Sequence, residues 1–255
     1  MRALMRTVAP KAFWVNPPEL AAADGFKPLQ LRLAAEVGMR IPETLFSNDP
    51  DEIARFFRRL DGEVVHKCYR GHGWSLDGAS DRIRAVNRTV AVLPEDLAQK
   101  AALAAAPGIF QRAIPKSYEL RVTAMGRTLV AARIDSQKHE STREDWRSGY
   151  HELEIEPYTL PADIAAACRR YMQMSGLNFG CFDFIVTPDG VYYFLEVNQM
   201  GQFLWKERYC PDLPMLQIFC EFLAAADPAF EWREKTPDIS FPAFFDSDAG
   251  AAYCA

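Results

Sequence analysis

The sequence predicts an α+β fold, and three observations carry that prediction. Helical and extended segments are interleaved without the regular strand–helix–strand alternation of a parallel sheet. Residues 181–198 (CFDFIVTPDGVYYFLEVN) read as one strong β-hairpin. Amphipathic helices with recognisable start signals stand apart from it, one beginning at Asp49 and one spanning about Ala162 to Ser175.

In chain order, Leu29, Leu31, Leu33, Ala34 and Val37 fit an amphipathic helix ended by Gly38, and Ile41-Pro42 begins an extended segment. The next helix has Asp49 as N-cap, Pro50 at its first position and Glu52 placed to complete a capping box. Ile53, Phe56, Phe57 and Leu60 then make one apolar face. EVVHKCY is a short strand, followed by the glycine-containing loop RGHGW. The stretch PGIFQRAIPKSYELRVTAMGRTLVAARIDSQ holds two or three strands with a tight turn at Met125-Gly126. Ile164, Ala167, Cys168, Tyr171 and Met172 line one face of the 162–175 helix, and the tail carries one more helix around Leu216 to Ala225.

Composition narrows the function classes. The chain has 255 residues, 49% of them hydrophobic, and a formal net charge of −5, which argues against general nucleic-acid or membrane-surface binding. No apolar run is long enough to span a bilayer, and MRALMRTVAP is not a secretory signal, so a cytoplasmic protein is expected. The six cysteines form no CxxC pair and no zinc-site spacing with histidine, which fits reduced, buried thiols.

The hairpin carries the chemistry. Thr187-Pro188-Asp189-Gly190 is a tight turn. With Gly190 forming a bulge, Asp183 falls opposite Phe194, and alternation puts Glu196 and Asn198 on Phe194's face. Three oxygen donors within about 7–8 Å diagonally suit one or two magnesium ions that also hold substrate phosphates. A solvent-facing polar row would explain the alternation. It would not explain Ile185, Tyr192 and Phe194 as neighbours, since charges among large apolar groups need a partner.

DFIVTPDGVYYFLEVN resembles the metal-binding hairpin of ATP-grasp ligases, in which an Asp, a Glu and an Asn hold magnesium at the ATP phosphates. With it, WVNPPE, IPETL, ELRVTAMG, ARIDSQ, EDWR and GQFLW resemble the graspetide synthetases, the ATP-grasp macrocyclases that mature microviridin-like ribosomal peptides. The resemblance runs from about Phe13 to about Glu207. It implies an ATP-grasp fold, two α+β subdomains gripping ATP, with most of the usual N-terminal α/β domain missing or reduced. Residues 1–42 would be a remnant of the N-terminal and central region, 43–112 the small subdomain and 113–255 the C-terminal subdomain. ATP and two magnesium ions are the implied cofactors, with Asp183, Glu196 and Asn198 as metal ligands.

The other site residues follow from the same resemblance. Lys27 and Lys67 match the two phosphate lysines, and Gln111, Arg112, Ala113 and Ile114 match the hinge whose backbone binds adenine. Glu119 aligns with the ribose-binding acid. Arg121, on the same strand face, points towards phosphates, where a guanidinium stabilises developing charge. Arg133 and Asp135 reach the site if the Met125-Gly126 hairpin has a suitable register, and Arg147 is a phosphate or substrate-carboxylate ligand in a polar lid. The implied partner is a precursor peptide with a leader segment, not nucleic acid or membrane, with a homodimer left open as the assembly.

The sequence departs from the family pattern at Cys68, where proline is usual, at Arg112, where Glu is common, and at Gln199-Met200, which replaces Pro-Asn. The stretch ahead of the Lys27 helix is also short. The expected reaction makes an acyl phosphate from a carboxylate and joins it to a hydroxyl or amine. Two further readings stand beside it: a ligase adding amino acids or small amines, of the ribosomal-protein glutamate ligase type, and a non-catalytic ATP- or peptide-binding partner of a complete ligase.

Overall fold

A computed structural model describes residues 7–9, 11–69, 73–74, 85–86, 89–143, 146, 153–233 and 235–247. In chain order its elements are α1 (Pro18–Asp24), α2 (Lys27–Glu36), β1 (Thr44–Ser47), α3 (Pro50–Arg59), β2 (Val64–Lys67), β3 (Gly73–Trp74), β4 (Ala85–Val86) and β5 (Val90–Ala91). There follow α4 (Lys100–Ala105), β6 (Gly108–Arg112), β7 (Tyr118–Met125), β8 (Thr128–Ile134), β9 (Ile155–Tyr158), α5 (Ala162–Ser175), β10 (Phe179–Val186) and β11 (Tyr192–Asn198). The last are α6 (Trp205–Tyr209), α7 (Met215–Ala225) and α8 (Phe241–Phe245). The α+β expectation holds, with antiparallel sheets throughout.

The chain divides into two compact units: residues 1–41, 116–135 and 153–255 form one, and residues 42–115 and 136–152 the other. These limits differ from a division at 42 and 112. The N-terminal stretch joins the larger unit because Leu31, Leu33 and Ala34 of α2, with Val37 just after it, belong to that unit's apolar core.

The smaller unit has a four-stranded sheet in the order β1-β6-β2-β5. Ile53 and Phe56 of α3, with Leu60 at its C-cap, pack with Val64, Val92 and Phe110. Asp49 caps α3, accepting from the backbone N–H groups of Asp51 and Glu52. The capping box does not close, because Ser47 intervenes: its hydroxyl donates to Glu52 and accepts from the Asp49 N–H.

The larger unit is built on a five-stranded sheet in the order β11-β10-β7-β8-β9. Alternation gives this sheet two faces. Leu120, Val122 and Ala124 of β7, with Phe182, Phe184 and Phe194 of the hairpin, bury against α2 and α5. On the other face Met125, Ala132, Phe179 and Cys181 pack with Met215, Ile218 and Phe222 of α7. The 162–175 helix ends at Ser175 as read, and Gly176 follows it in the left-handed region (φ 69°). α8 has no counterpart in the sequence reading. Of the cysteines, Cys168, Cys181 and Cys210 are buried, but Cys220 is exposed.

The hairpin register corrects the sequence reading. Phe184 faces Phe194, and the ladder then shifts so that Asp183 faces Glu196 and Cys181 faces Asn198. Leu195 is the extra residue of a β-bulge. Phe194 and Tyr192 therefore turn into the apolar core, rather than lying beside the carboxylates.

Candidate active site

The bulge decides the geometry. Asp183 pairs across to Glu196 on one side and to Arg121 on the other, while Ile185 pairs with Glu119. Glu119, Arg121, Asp183, Glu196 and Asn198 thus share one face of the larger unit's sheet. Glu119 and Arg121 are only 6% and 4% exposed, so neither belongs to a solvated surface pair.

Each carboxylate on this face meets a cation. Nη1 of Arg121 donates to both Asp183 oxygens, at 2.8 and 2.6 Å, and its Nη2 donates to the Gly201 carbonyl at 3.0 Å. Burial alone would lower the pKa of this guanidinium; the Asp183 carboxylate outweighs burial and raises it, so Arg121 stays charged. Lys27, in the first turn of α2, is ion-paired with Glu196, and Lys116 donates to Glu119 at 2.8 Å.

The loop after β11 is tied down. Asn198 Oδ1 accepts from the N–H groups of Met200 and Gly201, at 3.1 and 3.2 Å. Asn16 donates to the Gln199 carbonyl at 2.7 Å, and the Gln199 amide donates to Ala21 at 3.0 Å. Asn16 comes from the WVNPPE segment, whose place beside the site is a consequence of these bonds.

The donor set fits magnesium. Among the described residues no three His, Cys, Asp or Glu side chains gather as a closed metal cage. Magnesium keeps several waters and is commonly held by one or two carboxylates plus substrate phosphates, so two facing carboxylates with an amide beside them suffice. Arg121 and Lys27 show that this face already balances both carboxylates with positive charge.

Besides Lys116, two residues escaped the sequence reading. Lys206 is fully buried, and its ammonium donates to Thr123 Oγ1 at 2.6 Å; burial pushes its pKa down to about 8. Within LWKER it looks like a surface lysine, and nothing in that run signals otherwise. Gln30 is buried beside β11, and the only hint was its place among the apolar residues of α2.

One expected member goes elsewhere. Arg133 pairs opposite Leu120, so it stands on the apolar-core face, away from Arg121 and Asp183. There it bonds Asp135 at 3.0 Å, approaches Glu156 at 3.4 Å, and lies 4.2 Å above the Tyr118 ring. The register of the Met125-Gly126 hairpin is the cause.

In the smaller unit, Lys67 ends β2 opposite Ile109. Gln111 is buried and donates to Thr44 Oγ1 at 2.9 Å, while Arg112 lies 3.4 Å from Glu43. The N–H groups of Arg112 and Ala113 donate to the carbonyls of Glu43 and Glu63, both at 2.9 Å, and Ile114 follows half-buried. Arg147, and residues 70–72 of the glycine loop, lie outside the described residues.

No family model matches the chain, and no curated protein sequence does. Solved structures do. A RiPP-associated ATP-grasp ligase from Chryseobacterium gregarium, in complex with ADP and a leader and core peptide, is 29% identical, with a TM-score of 0.76 over 87% of this chain and 66% of that one. The macrocyclase MdnC from Microcystis aeruginosa MRC, bound with precursor peptide MdnA, is 34% identical, with a TM-score of 0.73 over 84% of this chain and 66% of that one. The ATP-grasp ligase PsnB, complexed with a phosphomimetic variant of a minimal precursor, Mg and ADP, is 26% identical, with a TM-score of 0.66 over 83% of this chain and 61% of that one. The chain therefore spans 66% of the length of the first two. With these likenesses added to the carboxylate hairpin, the chain has the ATP-grasp fold and resembles the graspetide-type, RiPP-associated ATP-grasp ligases.

Proposed function

We propose that this chain is an ATP-dependent ligase that activates a carboxylate of a ribosomally made precursor peptide and joins it to a hydroxyl or amine of that peptide, as a side-chain ester or amide. The observation that carries the reading is the Asp183–Glu196 pair, set face to face by the Leu195 bulge and flanked by Arg121 and Lys27. A fold alone has no need of four charged side chains there.

ATP supplies the phosphoryl group: the carboxylate oxygen bonds to the γ-phosphorus, ADP leaves, and the nucleophile then displaces phosphate from the acyl phosphate. Asp183, Glu196 and Asn198 would hold magnesium, which would supply neutralising charge at the phosphates. Arg121 is held rigid by Asp183 and directs guanidinium charge at the reacting phosphate, with no reorganisation needed as charge develops. Lys27 exchanges Glu196 for phosphate oxygens, and Lys67 keeps the phosphate-binding role that the resemblance implies. Glu119 takes the ribose hydroxyls. Arg147 keeps the role that the resemblance implies, a ligand of the transferring phosphate or of the substrate carboxylate. Positioning and electrostatics carry such chemistry, and no separate general base is assigned.

The test is mass spectrometry of leader-bearing peptides encoded beside the gene, incubated with the protein, ATP and magnesium. The expected result is loss of one water per condensation, coupled to ADP release. Joining of free amino acids to a carboxylate, with every such peptide ignored, would overturn the peptide reading and leave the ligase reading standing.

A further inference from the structure

Helix α2 brings more than Lys27 to the hairpin. One turn beyond Lys27, Gln30 is 3% exposed and faces β11, an edge strand of the five-stranded sheet. Its Nε2 donates to the Val197 carbonyl at 2.7 Å, and the Val197 N–H donates to its Oε1 at 3.0 Å. A single carboxamide thus satisfies both backbone groups of one edge residue, as a neighbouring strand would. Val197 is the residue between Glu196 and Asn198.

Another outward bond of this edge is Phe194 N–H to the Arg40 carbonyl, at 2.8 Å. Backbone groups three residues apart on a regular strand point to opposite edges. Phe194 and Val197 both point outward because Leu195 is the inserted residue between them. Such a bulge is a place where register can shift, and a slip by one residue carries side chains to the opposite face. Arg40 holds the strand before the bulge and Gln30 holds it after.

We infer that Gln30 is a positioning residue: its paired bonds to Val197 lock the bulged register and so keep Glu196 and Asn198 on the face of Asp183. The metal consequence rests on the ligase reading above; the register consequence does not.

The experiment uses the full chain and Gln30→Met, which keeps the side-chain length and removes both bonds. Val37→Ala, a core change on the same chain segment that leaves β11's edge bonds intact, is the comparison for lost stability. Hydrogen exchange over residues 192–200 should quicken by about tenfold in Gln30→Met and stay near wild type in Val37→Ala. The magnesium concentration giving half-maximal ADP binding, read by calorimetry, should rise about tenfold in Gln30→Met alone. Should Gln30→Met not fold, Gln30→Glu keeps the acceptor for the Val197 N–H and takes both measurements, with smaller shifts in the same directions. Unchanged exchange in a folded variant overturns the inference, as does faster exchange with an unchanged magnesium requirement, or equal shifts in Val37→Ala. A wild-type chain that binds ADP at no magnesium concentration overturns the ligase reading instead, and exchange then decides on Gln30.

Discussion

On β7, Leu120, Val122 and Ala124 are sealed from solvent, and the residues between and beside them, Glu119, Arg121 and Thr123, are buried almost as completely. The two faces of one strand thus differ in chemistry and hardly at all in burial. The apolar face gains by leaving water. The polar face costs free energy unless every charge finds a partner, and Arg121–Asp183, Lys27–Glu196 and Lys116–Glu119 are those partners. A face that gathers this many paired charges under so little solvent is the face on which chemistry is set up.

The largest effect should come from the apolar face and should leave catalysis alone. Phe182 is fully buried, with the rings of Tyr171 and Phe184 at 5.4 and 6.2 Å. Phe182→Ala should cost about 3–5 kcal/mol in denaturant unfolding. ATP turnover per folded molecule should stay within a few fold of wild type. A collapse of turnover in well-folded protein would mean the two faces are not separable.

On the polar face the pattern reverses. Glu196→Ala removes a carboxylate that faces Asp183 and should lower turnover by at least about a hundredfold, roughly 2.7 kcal/mol of transition-state stabilisation. Unfolding should change by only about 1 kcal/mol, since Lys27 and Glu196 are each about a quarter exposed and water can reach the ammonium left behind. Near-normal ATP-dependent turnover would remove the metal assignment.

Lys206 tests the cost of that face directly. Its pKa falls from 10.5 to about 8 on folding. A lowered lysine pKa means the unfolded chain binds the extra proton, so the penalty is fully present below about pH 8 and fades as pH rises towards 10.5. Lys206→Met should therefore stabilise the protein by about 2 kcal/mol at neutral pH, the burial penalty less about 1 for the lost bond to Thr123. The gain should shrink as unfolding is measured at successively higher pH. A gain independent of pH would show that Lys206 is held by something other than burial.

How much of this was legible in the sequence follows from range. The α5 helix and the capping Asp49 were readable because apolar spacing and cap chemistry are local. So were the hairpin strands and their turn at Pro188-Asp189. The bulge at Leu195 was not, because no glycine marks it and the groups that bond β11 on either side of it, Gln30 and Arg40, are far away in sequence. Asp183, Glu196 and Asn198 still converge, but by a different register from the one read, which had put Phe194 among them. Lys206 was invisible because burial of a lysine depends on packing between elements that no short window contains.

Arg133 should give the smallest effect and the sharpest division of the two faces. A register placing it near Arg121 would have made it a second phosphate-binding guanidinium. The pairing of Leu120 with Arg133, and of Arg121 with Ala132, puts the two arginines on opposite sides of the sheet. Its observed partners are the partly exposed Asp135, the exposed Glu156 and the face of Tyr118. Pairs of that kind contribute about 0.5–1 kcal/mol each at most. Arg133→Ala should accordingly lower stability by about 1 kcal/mol. Its turnover and Michaelis constant for ATP should stay within about twofold to threefold of wild type, well under one factor of ten in rate. Steady-state kinetics beside a denaturation curve separate the outcomes. A loss comparable with that of Glu196→Ala, at unchanged stability, would mean that the guanidinium acts at the reacting phosphate, and the separation of the sheet into an apolar face and a chemical face would fail at this residue.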